Sequence, residues 1–507
     1  MFGLLKSISI LRIIAVLFGL VLARWLVRGV FRVYFHPLSR FPGPKASAFT
    51  RIPFIHALFT GSFHRYVARL HDQYGEVVRI SPDELSFIGA TAWRDINGYG
   101  SKTGPGSPPP KHFGKYGEDL NGAENLILMK DDAEHARVRK IFSPAFSDRA
   151  LIQQAPLFLK YTNQLIQVLH DKVKSNGGED EVDIVRMYNF TTFDIMGDLT
   201  FGESLHMLDN QRYDEWVATI FASIKAAIRV NAITQHYAIA MRIMKFALKK
   251  FLWEMAQKHL DHSSTRVTKR IEKGRSSEGV DIWDLVLSQK EQGKEGLGRL
   301  QMDSNASLFM LAGTETTATL LSGLTHLLLK NPDTMEKLKK EVRASFASSE
   351  DISMDAIARL PYLNACIKEG LRCYPPVPIG LPHLTPSDGS TICGQFIPPG
   401  TTVAVHHMSM YNSPTHFRDP LSFVPERWMG DERYANDERS AVQPFSVGPR
   451  DCIGKNMAYH EMRLILTKVI YNFDFELCPE SEGWEDQDAY TLWEKKPLMV
   501  KLKVAGS

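Results

Sequence analysis

The stretch FSVGPRDCIGK, residues 445–455, sets one of the chain's five cysteines between Gly448 and Gly454, with Arg450 two residues before it. A lone Cys-x-Gly is usually an ordinary loop. The continuation, KNMAYHEMRLILTKVI, changes that reading. It places Ala458, Met462, Ile465 and Val469 on one face, which predicts a helix starting just beyond Cys452. A cysteine at that end receives the positive pole of the helix and its free backbone N–H groups. Together with Arg450 this favours a thiolate. A thiolate in such a loop suits a ligand to iron, and the arginine suits an anionic group of a cofactor.

The other cysteines, Cys366, Cys373, Cys393 and Cys478, lie after residue 365, and the odd total makes no disulfide framework. No CxxC pair points to structural zinc. The net charge of +3 is small for 507 residues, which argues against a nucleic-acid partner. At 44% hydrophobic and 23% charged residues the composition is that of a globular protein.

Working outward, residues 302–330 (MDSNASLFMLAGTETTATLLSGLTHLLLK) read as a long helix, apolar nearly all round and stopped by Asn331-Pro332. Its middle, AGTETT, carries a carboxylate and three hydroxyls. Threonines there can bond back to the preceding turn. A glutamate inside a buried helix is costly unless paired, and it points to a functional cavity. Glu369 and Arg372, three residues apart, share a helix face and can pair. Short β-rich segments occur near residues 76–88 and 391–406. Three polar, glycine-rich stretches, KSNGGEDE (174–181), GRSSEG (274–279) and QGKEGLG (292–298), read as surface loops. The neighbours His406 and His407 face opposite ways on a strand and do not suggest a metal site.

Residues 8–27 form an apolar run of bilayer-spanning length, with Arg12 and Arg24 near its ends. Basic residues after it predict that the rest of the chain faces the cytosol. Two glycosylation-like sites, Asn189 and Asn305, should then go unused. HPLSRFPGPK (36–45) reads as a stiff, extended connector. The expected organisation is a membrane anchor over 1–35, a proline-rich hinge over 36–45, and one large domain over 46–507, mostly α with small sheets.

These motifs carry a resemblance. Phe445-x-x-Gly448-x-Arg450-x-Cys452-x-Gly454 resembles the haem-binding signature of the cytochrome P450 family. Five specified positions at about one in twenty each, over about 500 starts, give a chance expectation on the order of 10⁻⁴. Ala312 to Thr317 resembles the family's oxygen-activating stretch, Glu369-Gly-Leu-Arg372 its ExxR pair, and Pro425-Glu426-Arg427-Trp428 the segment giving that network its third member, Arg427. The general tone is similar to fungal microsomal members acting in secondary metabolism.

The resemblance implies a P450 fold, haem b as cofactor and Cys452 as axial ligand to the haem iron. It gives Thr316 a hydrogen bond to bound O₂ and Glu315 a proton relay from water. Phe445, Gly448 and Gly454 shape the cysteine loop, and Arg450 and Arg139 contact the haem propionates. His135 stands where the family often has tryptophan, and His383 where it often has arginine; both are candidate propionate contacts. By the same analogy the substrate pocket draws on residues 98–128 and 205–235, Phe309, Ala312 and residues 377–381. No dinucleotide or flavin motif is visible, so electrons come from a separate NADPH-dependent flavoprotein reductase, with Arg137, Lys140, Lys455 and Lys468 as candidate docking cations. The expected activity is insertion of one oxygen atom of O₂ into a lipophilic small molecule at the endoplasmic reticulum membrane. The alternatives are a haem-thiolate isomerase or dehydratase that uses no O₂, and a non-catalytic binding protein of the same fold.

Overall fold

The computed structural model describes residues 2–99, 107–116, 122–234, 261–274, 280–291 and 296–506. Residues 275–279 and 292–295, in two of the expected loops, lie outside these, as do residues 100–106 and 117–121 and Gln235 of the expected substrate segments.

The long apolar helix spans Arg299–Lys330, and Pro332 opens the next helix, Pro332–Ser345. At 1.5 Å per residue its 32 residues extend about 48 Å. Such a length of apolar surface must be covered. Its main partner is Ile184–Phe201, a helix buried on nearly every face. The glycines of the central helix serve close approach. A Cβ on Gly313 would lie 2.8 Å from Met196 Sδ, and one on Gly323 2.1 Å from the Tyr374 ring. Gly313 therefore trades helix propensity for contact. The ExxR helix, Pro361–Cys373, and the helix after the cysteine loop, Lys455–Asn472, complete this core.

The β segments form small peripheral sheets. Val77–Ser81 pairs antiparallel with Glu84–Phe87, which runs parallel to Thr402–Val405, which pairs antiparallel with His383–Leu384. KSNGGEDE is only partly a loop. Its second half enters the strand Glu179–Asp183, paired with Met499–Val504, which also pairs with Phe473–Leu477. The partner strand stands at the far end of the chain, so local composition gave no sign of it.

The N-terminal helix runs Phe2–Tyr34, and its apolar portion, Arg12–Tyr34, is long and apolar enough to cross a membrane. The side chains from Ile13 to Phe18 are exposed. The connector is not extended throughout. Pro37 opens a 3₁₀ turn, Pro37–Arg40, with the His36 ring accepting from Leu38 N–H. Proline's fixed φ suits a first helical position. The Pro42 carbonyl then accepts from Arg79 N–H at 2.7 Å, docking the connector on the first strand. Asn189 and Asn305 are both buried, so neither offers a glycosylation site.

Candidate active site

The cysteine loop is a tight turn held at both ends. Cys452 N–H donates to the Phe445 carbonyl at 2.9 Å, and the Phe445 ring packs on Tyr459 of the following helix at 5.3 Å. Gly448 has φ +88°, and a Cβ there would meet the Asn97 carbonyl oxygen at 1.9 Å, so only glycine fits. Gly454 caps the helix, and its carbonyl accepts from Ala458. Cys452 itself lies on the loop, three positions before the first helical residue.

Burial pushes the Cys452 thiol up. The Gly454 N–H, Arg139 and Lys455 pull it down but do not win. The sequence expectation that the helix end and neighbouring cations alone secure a thiolate is therefore too strong; a metal that coordinates the sulfur would remove its proton outright. Cys452 is exposed although protein atoms crowd round it. In the middle of the otherwise buried central helix Ala312 is likewise exposed.

Basic side chains gather beside this loop. Arg450 donates to the Met129 carbonyl at 2.9 Å and to Asp132 at 2.8 Å, and lies over the Phe113 ring. His135, buried one turn into the helix Asp132–Phe142, is pushed down to about 4 by burial, then by Arg450, Arg139 and Lys111. His383 is also pushed down to about 4, by burial first and by Lys111 and Arg450. Lys111 completes the group. Its backbone bridges to His383, its ammonium donates to the Ile127 carbonyl at 3.2 Å, and burial and Arg450 hold it down to about 8. His135, His383 and Lys111 are thus disfavoured in their charged forms, and among the described residues Asp132 pairs with Arg450. An anionic group of a cofactor would relieve that crowding. The exposed cysteine in its tight loop and this basic cluster both fit haem. Lys111 escaped sequence reading because no motif surrounds it. Arg139 is committed differently: it donates to the Asp451 carbonyl at 2.7 Å and carboxylate at 2.6 Å, bracing the cysteine loop.

On the central helix, Thr316 Oγ1 donates to the Ala312 carbonyl at 2.7 Å. Glu315 is buried and paired with Lys495, which also donates to Thr319 Oγ1 at 2.8 Å. Among the described residues, Glu315 Oε2 has no hydrogen-bond partner. Sequence reading found Glu315 but not Lys495. Of the expected pocket residues, Phe309 is core: its ring packs edge-on against Phe142 at 4.8 Å and Phe146 at 5.4 Å. Ala312 and Leu381 are exposed.

The ExxR residues form a closed network at zero exposure. Arg372 donates to both Glu369 oxygens, at 2.7 and 3.0 Å, and to the Tyr411, Pro420 and Ser422 carbonyls. Arg427 donates to Glu369 at 3.0 Å and pairs with Asp437; Trp428 Nε1 donates to Glu369 Oε2 at 2.8 Å. Burial would raise the Glu369 carboxyl, yet the Arg372 bonds and the two arginine charges hold it low. His406 and His407 are separate buried imidazoles, bonded to Gly380 N–H and the Ile379 carbonyl.

Comparison with known proteins agrees with this geometry. The Cytochrome P450 family model matches residues 42–502. Cytochrome P450 monooxygenase FUM2 of Gibberella moniliformis is 45% identical over 489 residues, covering 94% of this chain and 100% of that protein. Cytochrome P450 monooxygenase efuB of Hormonema carpetanum is 46% identical, covering 95% of this chain and 94% of its own length. An averantin hydroxylase of Dothistroma septosporum is 41% identical, covering 94% and 89%. With the cysteine loop, the ExxR network and a match running nearly end to end, the chain belongs to the cytochrome P450 family, whose cofactor is haem, and is a monooxygenase.

Proposed function

We propose that this chain oxidises a lipophilic intermediate of fungal secondary metabolism at the cytosolic face of the endoplasmic reticulum, with haem b bound through Cys452. The exposed Cys452, set in a glycine-bearing loop that its own N–H ties to the Phe445 carbonyl, is the observation that carries this reading. When bound, haem supplies O₂ binding and the oxidising chemistry. The chain's residues do the rest. Phe445, Gly448 and Gly454 hold the sulfur in place, and Arg139 stiffens the loop through Asp451. Arg450, His135, His383 and Lys111 would receive the propionates. Glu369, Arg372 and Arg427 fix the frame behind the loop.

Thr316 and Glu315 handle protons at the O₂ side. With haem in place, the Thr316 hydroxyl, now donating to the Ala312 carbonyl, would be free to turn toward O₂, and Glu315 would pass protons from water. Electrons come from NADPH through a flavoprotein reductase docking near Lys455 and Lys140, both exposed. Lys468 leaves the docking surface, because it is buried and donates to the Ser349 carbonyl. Arg137 is taken up by Glu134. The apolar helix over 1–35 anchors the body over 46–507 through the hinge over 36–45.

Thr316→Ala tests the chemistry. The carbon-monoxide spectrum and the substrate-induced shift should survive, and NADPH should still be consumed. Product should fall by about 10²-fold while hydrogen peroxide rises. Full coupling in this variant removes the role of Thr316; product formed without NADPH makes the protein an isomerase. Cys452→Ser should abolish the red-shifted carbon-monoxide band, which replacement of each other cysteine leaves in place.

A further inference from the structure

Lys495 lies on the loop between the hairpin strand Leu492–Trp493 and the last strand, Met499–Val504, far from any P450 motif. Its side chain is 4% exposed and its partner, Glu315, 6%. A buried lysine is expensive unless its charge is answered. Here the ammonium meets Glu315 Oε1 and the Thr319 hydroxyl, and Thr319 also lies 3.5 Å from Glu315 Oε1. One carboxylate oxygen is thereby fully engaged. Among the described residues, the other, Oε2, is buried with no protein partner. A buried acceptor without one is costly unless something else meets it.

The backbone that carries Lys495 is held firmly. The Trp493 ring stacks on Tyr374 at 4.7 Å, and Trp493 Nε1 donates to the Pro375 carbonyl at 2.8 Å. Among the described residues, the phenols of Tyr374 and Tyr213 also feel the Glu315 charge. Both are pushed up, by burial first and also by the Glu315 charge. Neither offers a second cation. Among the described residues, the charge compensating Glu315 is Lys495.

We propose that Lys495 is a positioning residue for proton delivery, holding one oxygen of Glu315 against Thr319 so that the other stays open to take a proton from water and release it toward bound oxygen. Each passage puts one proton on Oε2 and takes one off, so Glu315 returns to the carboxylate paired with Lys495. The inference rests on the monooxygenase reading and names the residue that makes its proton relay work. The ammonium is a fixed counter-charge, which keeps the carboxylate from holding the proton too long.

The test separates this role from a merely structural one. In Lys495→Met the buried carboxylate loses its counter-charge and takes up a proton instead. Difference infrared spectroscopy of the purified holoenzyme, variant minus wild type, should then show one additional protonated-carboxyl stretch, which the Lys495→Met/Glu315→Gln double variant lacks. The carbon-monoxide spectrum and the substrate-induced shift should be unchanged. Product per NADPH should drop about tenfold, with peroxide making up the balance, while Lys495→Arg stays within about threefold of wild type. Lys495→Gln repeats the measurement should the methionine variant fail to fold. A missing carboxyl band, or full coupling in Lys495→Met, overturns the proposal. Wild-type NADPH-dependent product formation checks the monooxygenase reading separately, since the infrared band reports the pairing whether or not turnover occurs.

Discussion

Two regions of this molecule bury a glutamate beside cations and treat it differently. Around Glu369 every valence is closed: Arg372, Arg427, Trp428 and Val424 N–H all donate to its two oxygens. Around Glu315 the set is left open, with Lys495 and Thr319 on one oxygen and, among the described residues, none on the other. A closed network defines a shape. An open oxygen is available to chemistry. A third glutamate, Glu461, marks the limit of the series. It is buried, with no cation beside it among the described residues, and burial pushes its carboxyl up to about 8 against the pull of the Thr317 hydroxyl.

The comparison breaks most visibly at the closed network. Arg372→Ala leaves Glu369 and Arg427 buried with their charges unbalanced. Losing one member of such a cluster costs about 3–5 kcal/mol, a large part of a typical domain's stability. Haem-loaded protein should be nearly absent, measured as the carbon-monoxide signal per milligram. Haem content close to wild type would mean that the network is less closed than its hydrogen bonds indicate.

Glu461 gives the next largest effect. Its folded form holds a proton that the unfolded form releases near the ordinary value of 4.5. The unfolded state therefore binds fewer protons between about 4.5 and about 8, and stability falls as pH rises through that window, by up to ~1.4 kcal/mol per pH unit. Glu461→Gln should flatten that decline in chemical-denaturation curves taken from pH 5 to 8. An unchanged slope would show Glu461 charged inside the protein, and the series of three glutamates would collapse to two.

The smallest effect lies on the surface. Lys140 and Lys455 are exposed, so their charges act through solvent and are screened beyond about 8–10 Å in physiological salt. Reversing both to glutamate should slow reduction by an added NADPH-dependent reductase about threefold to tenfold at low salt, with the gap closing as salt rises. Reduction rates that match wild type at every salt concentration would move the docking surface elsewhere.

What the sequence disclosed follows from distance along the chain. Glu369 and Arg372 are three residues apart, and Phe445 to Gly454 lie within ten, so spacing alone exposes them. Lys495 meets Glu315 across 180 positions, and Arg139 meets Asp451 across 312. No local pattern marks either. For Phe309, helical periodicity says that a face is apolar but not which neighbour covers it; here Phe142 and Phe146 do. The strand Glu179–Asp183 was hidden for the same reason, its partner being Met499–Val504. Lys468 has the composition of a docking lysine, yet the turn at Ser349 covers it.

Glu494 and Lys495 stand next to each other and pair in opposite directions, Glu494 outward with Lys225 at 2.5 Å and Lys495 inward with Glu315. This makes the length of the loop as consequential as its letters. With Trp493 pinned on Tyr374, one residue inserted after Trp493 would carry Glu494 into the inward position, acid against acid, and turn an attraction into a repulsion. Removing a residue at the same point is milder inside, because Lys496 follows Lys495 and supplies a spare cation for Glu315. The cost then moves to the surface, where Lys495 would face Lys225. The C-terminal loop should accept many exchanges of side chain, shortening with some loss, and lengthening hardly at all.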